Sequence, residues 1–199
     1  CGAAAQFLSA NMTVEAWVYI NEKTGGSIIG AEGSDANGGL GGLLIRLAEG
    51  VDYAIDFCMV NNTWSSCLSG AGSAPHKQWI HIAATFDSEN ICLYLNGEFA
   101  SAIKIAPYVP DSDGKFIIGD LALFSGRQFS GKIYDVRVWN TTRTPEQIAS
   151  AYDRLLTGDE EGLVANWQLA VKSGDNIVDV TGRYPATLVN IKWSDLDNL

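Results

Sequence analysis

The residues best suited to chemistry are the cysteines Cys1, Cys58, Cys67 and Cys92 and the histidines His76 and His81. The cysteines form no Cys-x-x-Cys pair and the histidines stand outside any zinc-like spacing, so the pattern supplies no structural zinc site. A disulfide is the better use. Cys58 and Cys67 flank the stretch Met59 to Ser66, which has turn residues near its middle, so the two thiols are expected to face each other across a hairpin. Closing such a loop constrains the unfolded chain by roughly 2–3 kcal/mol in the chain-entropy view and implies an oxidising compartment. Buried free thiols in a reducing compartment are the alternative. Neither histidine is accompanied by Gly-x-Ser-x-Gly or by an orienting carboxylate pattern, which removes the usual nucleophile classes, and His81 alternates within Trp79–Phe86 as a structural residue would. The glycines Gly25-Gly26 and Gly38 to Gly42 lack the Gly-Lys-Ser/Thr ending of a phosphate loop and no helical pattern follows, so they read as loop between strands. What remains suits non-covalent binding. The tip Asn61-Asn62-Thr63-Trp64 offers an indole that can stack on a pyranose ring and amides that can bind hydroxyls. Trp64 folding back over the adjacent disulfide is the alternative, and Arg127 and Gln128 ahead of Phe129 are further polar candidates.

The elements that must hold these groups follow from composition and periodicity. The chain has 199 residues, 47% hydrophobic and 18% charged, with mean hydropathy +0.05, which excludes a disordered chain or a coiled coil and suits one compact unit. The formal net charge is −10 and the basic residues are scattered, so no cluster neutralises a run of phosphates and nucleic acid is excluded as a partner. No apolar run reaches the ~18–20 residues of a membrane-spanning segment. Cys1 has two readings, the lipid-bearing cysteine of a processed lipoprotein or a residue at a cut inside a longer protein; strand-like sequence from Gln6-Phe7-Leu8 favours the cut.

Period-two alternation in Met12–Ile20 predicts a half-buried strand, and the pattern recurs at 27–30, 42–47, 53–60, 79–86, 91–95, 115–118, 131–139, 163–169 and 187–191. Many short strands bounded by turn residues predict an all-β, two-sheet antiparallel sandwich. Trp17, Trp79, Trp139 and Trp167 are expected in its core. Asn96-Gly97 predicts a two-residue hairpin turn, and Asp87 brackets the same hairpin. One short helix is expected near 144–156, with Thr144 as N-cap, Pro145 in the first turn, Gln147 closing a capping box and Ile148, Ala151, Tyr152 and Leu155 as an apolar stripe; Gly158 ends it, and it is expected to plug one end of the sandwich.

Several stretches, in this order, resemble the laminin G-like and pentraxin-like branch of the concanavalin A-like lectin/glucanase jelly rolls. They are Phe-x-x-x-x-Met-Thr-Val-Glu-Ala-Trp-Val-Tyr (7–19), Gln-Trp-Ile-His-Ile-Ala-Ala-Thr-Phe-Asp (78–87), Leu-Tyr-Leu-Asn-Gly (93–97), Phe-Ile-Ile-Gly (116–119), Phe-Ser-Gly-Lys-Ile-Tyr-Asp-Val-Arg-Val-Trp-Asn (129–140) and Glu-Gly-Leu-Val-Ala-Asn-Trp-Gln-Leu (161–169). The set is most similar to bacterial extracellular domains attached to carbohydrate-handling proteins, including those of gut Bacteroidota. The resemblance implies one jelly-roll domain over residues 1–199, cut from a longer extracellular or cell-surface protein, with a glycan or glycosylated partner. An enzyme of this fold would resemble the laminarinase-like hydrolases, whose Glu-x-Asp-x-x-Glu strand is missing here; Asp52, Asp56 and Glu15 offer no substitute pair. A structural or protein-interaction domain that positions a neighbour is the alternative. No cofactor is required, and calcium is the one ion the resemblance introduces. By likeness to pentraxins, the loop from Glu32 to Asn37 lies where one ligand pair is found and Asp120 where the others begin, but Leu121-Ala122-Leu123 replaces the acidic cluster, leaving a single site from Asp35, Asn37 or Asp120. Solvated turn residues are the alternative for these positions.

Overall fold

The computed structural model describes residues 1–21, 26–50, 54–121, 125–173 and 176–189. Tyr53, expected to open a strand, Asn190-Ile191, expected to close the last one, and Gly25, Asp52 and Ala122-Leu123 lie outside the described residues. In chain order the elements are β1 (Gly2–Ala3), a 3-10 turn (Ala4–Gln6), β2 (Met12–Ile20), β3 (Ser27–Gly30), β4 (Gly33–Ser34), β5 (Leu40–Leu47), β6 (Ile55–Asn61), β7 (Thr63–Leu68), β8 (Trp79–Phe86), β9 (Asn90–Leu95), β10 (Glu98–Lys104), β11 (Lys115–Ile118), β12 (Gly131–Trp139), α1 (Pro145–Ala151), β13 (Leu163–Ser173), β14 (Asn176–Asp179) and β15 (Ala186–Thr187). They build two antiparallel sheets. The front sheet has the order β1-β11-β3-β5-β6-β7, with β4 on β5, and the back sheet the order β10-β9-β8-β2-β12-β13-β14-β15.

The core lies between the sheets because alternate residues of each strand point the same way. Met12, Val14, Ala16, Val18 and Ile20 of β2 bury against Leu43, Ile45, Phe57 and Met59 of the front sheet. Trp167 anchors one end, fully buried, with its ring centroid 5.6 Å from both Phe7 and Phe116 and its indole N–H donating to the Tyr184 carbonyl at 2.6 Å. Three of the tryptophans expected there are elsewhere. Trp17, Trp79 and Trp139 belong to the set opposite the inward residues, so they leave the outer face of the back sheet; Trp79 is 41% exposed, and Trp139 is covered by the Arg143 guanidinium 4.2 Å from its ring centroid. Gln6-Phe7-Leu8 does not open a strand, since the Phe7 N–H closes the 3-10 turn on the Ala4 carbonyl at 2.9 Å and its ring joins the core. The glycine run is partly strand: Gly41 and Gly42 lie inside β5. They are required there, because a Cβ on Gly41 would sit 2.1 Å from the Asp111 carbonyl oxygen.

The helix begins as the sequence predicts. The Gln147 N–H donates to the Thr144 hydroxyl at 3.2 Å, and the Thr144 N–H donates to the Gln147 side chain at 2.9 Å. It ends earlier, at Ala151, and lies on the outer face of the back sheet rather than at an end of the sandwich: Ile148 packs on Ala83 and Tyr94, and the Trp17 indole N–H donates to the Tyr152 carbonyl at 3.0 Å. Asn96 and Gly97 both take positive φ in the β9–β10 turn, and Gly97 also makes room for the helix, since a Cβ there would be 2.9 Å from the Tyr152 ring. The cause of both differences is a buried charge cluster. Glu15 on β2, with no exposed surface, receives Arg143 at 2.6 Å and Arg137 at 3.2 Å, and lies 3.3 Å from His81 Nε2. Arg137 also binds Asp135 and donates to the carbonyls of Ala151 and Arg154, drawing the chain out of the helix and down onto the sheet.

Burial alone would raise the acidity constant of Glu15, but the hydrogen bond and charge of His81 and the guanidinium groups of Arg143 and Arg137 outweigh it and hold the carboxyl at about 2, against its ordinary 4.5. A lowered folded-state value contributes stability that is present above pH 4.5 and lost as pH falls through 2. Urea unfolding should therefore show stability dropping across that window. Glu15→Gln should flatten the drop and cost about 3 kcal/mol or more at pH 7, because it leaves buried guanidinium groups short of a partner.

Candidate functional site

Opposite the helix, no helix among the described residues covers the outer face of the front sheet. The β5, β6 and β7 residues that alternate with the core set point outward there: Leu44 and Arg46, then Asp56 and Cys58, then Trp64 and Ser66, aligned by the pairs Arg46↔Asp56, Leu44↔Cys58, Cys58↔Ser66 and Val60↔Trp64. A cavity of about 290 Å³ opens on this face, lined by Ser27, Leu44, Arg46, Trp64, Leu121 and Arg127 among others. That is near the lower end of the range for small-ligand sites.

Its polar groups are fixed by one another. Arg46 meets Asp56 through both Nε and Nη2 at 3.0 Å, and its Nη1 is 3.5 Å from Glu49. Arg127 pairs with the same Glu49. The Asp56 oxygen that binds Arg46 also accepts from Cys58 Sγ at 3.1 Å and Ser66 Oγ at 3.4 Å. Burial first, then the adjacent Asp56 charge, pushes the Cys58 thiol up to about 12, so it is a neutral filler beneath the site and not a nucleophile. Leu121 covers Gly30 and packs on Leu44 and Cys58. Trp64 stands at the rim, 40% exposed, with the Arg46 guanidinium carbon 5.5 Å from its ring centroid.

Of the residues singled out in the sequence, Trp64 and Arg127 meet in this cavity, and Gln128 stands beside it, donating to Asp120 at 3.2 Å. Asn62 is occupied elsewhere. In left-handed conformation at the hairpin tip, it exchanges hydrogen bonds with Leu40 through its backbone N–H at 2.7 Å and its side-chain oxygen at 3.1 Å. Asn61 is exposed and pairs with Gly41. The groups that sequence reading missed are Arg46, Asp56 and Glu49. The available signal was a charge near the end of β5 and one of opposite sign near the start of β6, in otherwise apolar strands, and only the pairing register shows that the charges are neighbours.

The expected Cys58–Cys67 disulfide is not formed; all four cysteines are free. The hairpin does exist, but Cys58 is opposite Ser66 and Cys67 is opposite Phe57, a one-residue offset that sends Cys58 to the outer face and Cys67 into the core. Nor are the calcium candidates brought together. Asp35 accepts from the backbone N–H groups of Asn37 and Gly39 at 2.8 Å and lies against Gly41, while the Asp120 segment lies over Gly30, which pairs with Leu44. Three residues of β5 separate these points, about 10 Å. Asp120 is used by the Leu121 N–H at 2.8 Å and by Gln128. Among the described residues no three His, Cys, Asp or Glu side chains converge to hold a metal.

Two antiparallel sheets packed face to face, with α1 on an outer face, are the architecture of a concanavalin A-like β-sandwich. Residues 2–149 match the laminin G-type model of the concanavalin A-like lectin/glucanases superfamily, and the chain belongs to that superfamily. No curated protein sequence matches the chain. Among solved structures it is similar to a candidate carbohydrate-binding protein from Bacteroides ovatus (TM-score 0.72, 23% identity, covering 89% of this chain and 51% of that one). It is also similar to a heptameric SAP-like pentraxin from Limulus polyphemus (TM-score 0.58, 16% identity, 73% and 70% of the two chains). A third is domain 4 of an extracellular arabinanase from Geobacillus stearothermophilus, solved with arabinotriose (TM-score 0.56, 21% identity, 73% and 68%). The chain thus spans about half the length of the Bacteroides protein. Among the described residues no helix is long and apolar enough to cross a membrane.

The register makes a direct prediction about the thiols. A peptide map of the unreduced protein should contain no Cys58–Cys67 link, and all four cysteines should react with a thiol reagent once the chain is unfolded without reductant. A linked 58–67 peptide would contradict the β6–β7 pairing.

Proposed function

We propose that this domain is a non-catalytic carbohydrate-binding module of an extracellular or cell-surface protein, and that its ligand lies along the outer face of the front sheet with Trp64 as the stacking platform. The observation that carries the reading is the half-exposed Trp64 indole, held beside an Arg46–Asp56 pair at the rim of a cavity on that face. A sugar ring presents an apolar C–H face to an indole and a circumference of hydroxyls to polar groups, and this site offers both surfaces at once. The carbohydrate-binding character of the Bacteroides and Geobacillus structures supports the same reading. A binding role also suits the carboxylates of this face. Asp56 is buried under Arg46 and Glu49 is shared between two arginines, an arrangement that fixes side chains and leaves no acid and nucleophile pair facing open space.

A glycan array probed with the purified domain, with calcium and with chelator, tests the reading. Signal in at least one condition is expected, and silence in both would point instead to a structural or protein-interaction domain. Signal confined to the calcium arm would move attention to Asp35, Asn37 and Asp120. For a glycan bound without calcium, Trp64→Ala should weaken binding about tenfold or more, measured by calorimetry. Its melting temperature should change little, because the ring is already substantially in water.

A further inference from the structure

We propose that Glu32 is a second recognition residue of this face, an acceptor for the hydroxyl groups of a neutral oligosaccharide that stacks on Trp64 and continues along β5. The proposal rests on the carbohydrate reading above and adds to it the class and minimum length of the ligand.

Glu32 follows β3, where the Ala31 N–H bonds to the Leu43 carbonyl at 2.9 Å and carries the chain on past Gly30↔Leu44 to lie beside Gly42. A Cβ on Gly42 would be 3.0 Å from the Glu32 Cα, so glycine at 42 is what lets the Glu32 backbone close down on β5. Ala31 is in the core, which turns Glu32 to the outer face, the face of Leu44 and Arg46. The side chain is 1% exposed and both carboxylate oxygens lack a hydrogen-bond partner. Buried carboxylates are ordinarily hydrogen-bonded, and one with no donor among the described residues keeps both oxygens as acceptors for the donors of a bound molecule.

The charges acting on Glu32 are Arg46 of β5 and Arg127 of the segment before β12, the two guanidinium groups that line the cavity. Both are already engaged, Arg46 by Asp56 and Glu49 and Arg127 by Glu49. From the other side, the segment carrying Gly114 packs on the Glu32 carbonyl, and its Asp113 carboxylate is turned to the Ser34 N–H at 2.7 Å. Asp120 is held by Leu121 and Gln128. Among the described residues no side chain or backbone group hydrogen-bonds the buried Glu32 carboxylate, and burial pushes it up to about 7 against the weaker pull of the two arginines. Along β5, Arg46 and Gly42 are four residues apart, about 13 Å, which is longer than a single sugar ring. Leu121, packed on Leu44, is the side chain between them. Hydroxyl groups donate more strongly to a carboxylate than to a carboxylic acid, so the ligand favours the ionised form, and binding strengthens as pH rises through neutrality with release of a proton.

The test is a titration of the Glu32 side-chain carboxyl by carbon-13 NMR on the whole domain, alone and with arabinotriose, xylotriose, cellotriose or maltotriose. The change in intrinsic fluorescence that is lost in Trp64→Phe, out of the six tryptophans of the chain, reports binding at Trp64 independently. The expected midpoint is near 7 in the free domain and clearly lower with a trisaccharide that changes Trp64 fluorescence. Affinity should rise about tenfold between pH 6 and pH 8, and the matching monosaccharide should not lower the midpoint. Glu32→Gln should abolish that rise and weaken binding about tenfold at pH 8. Should the variant fail to fold, the wild-type titration decides alone. A free-domain midpoint in the ordinary carboxylate range overturns the proposal, as does a trisaccharide that binds at Trp64 while leaving the Glu32 midpoint and the affinity unmoved by pH. If none of the four trisaccharides binds at Trp64, the Glu32 assignment is overturned for these ligands, and the carbohydrate reading stands or falls separately on the glycan array.

Discussion

Successive side chains of an antiparallel strand leave opposite faces of the sheet, and in this protein both the core and the two outer faces depend on that alternation. Once Val14, Ala16 and Val18 are committed to the interior, Glu15 and Trp17 have to be accommodated on the outside of the back sheet. Once Leu43, Ile45 and Phe57 are inside, Leu44, Arg46 and Asp56 form the outside of the front sheet. The hydrophobic demand of the core therefore fixes the positions of charges that contribute nothing to it.

The two faces resolve the resulting problem in different ways. On the back sheet the charge is sealed: Glu15 is surrounded by Arg137, Arg143 and His81, and the helix and the chain that leaves it close over the cluster through carbonyl groups offered to Arg137. A buried carboxylate among that many donors holds the covering segment in one place, since any displacement would leave a guanidinium unpaired in a dry site. On the front sheet the charges stay at a surface. Arg46 and Arg127 share Glu49, Arg46 is braced by Asp56, and Trp64 sits beside them partly in water. A rigid set of this kind can meet a ligand without first paying rotamer entropy, which is the physical advantage of building a binding face on strands.

The same alternation explains the state of the cysteines. Ten residues span Cys58 to Cys67, enough for the two thiols to reach one another in an unfolded chain, yet the hairpin places them one register step apart and on opposite sides of the sheet. Cys58 then becomes part of the floor under the groove with Leu44 and Leu121, and Cys67 becomes core. A cross-strand disulfide needs directly opposed positions, and the turn at Asn62 does not provide them.

By itself the sequence determined the elements with strong local causes: the β2, β8 and β12 strands through their alternation, the Asn96-Gly97 turn through its tolerance of positive φ, and the start of α1 through a capping box made by neighbours in the chain. It also marked Trp64 and Arg127 as binding candidates from their types. Tertiary structure decided everything that depends on which strands become neighbours. That includes the pairing of Arg46 with Asp56, the outward placement of Trp17, Trp79 and Trp139, the separation of Asp35 from Asp120, and the isolation of Glu32. The reason is that alternation specifies two faces for each strand but not which one is inside, and a one-residue choice of register exchanges the two sets. That choice is made by the combined packing of both sheets, and no single stretch of the sequence contains it.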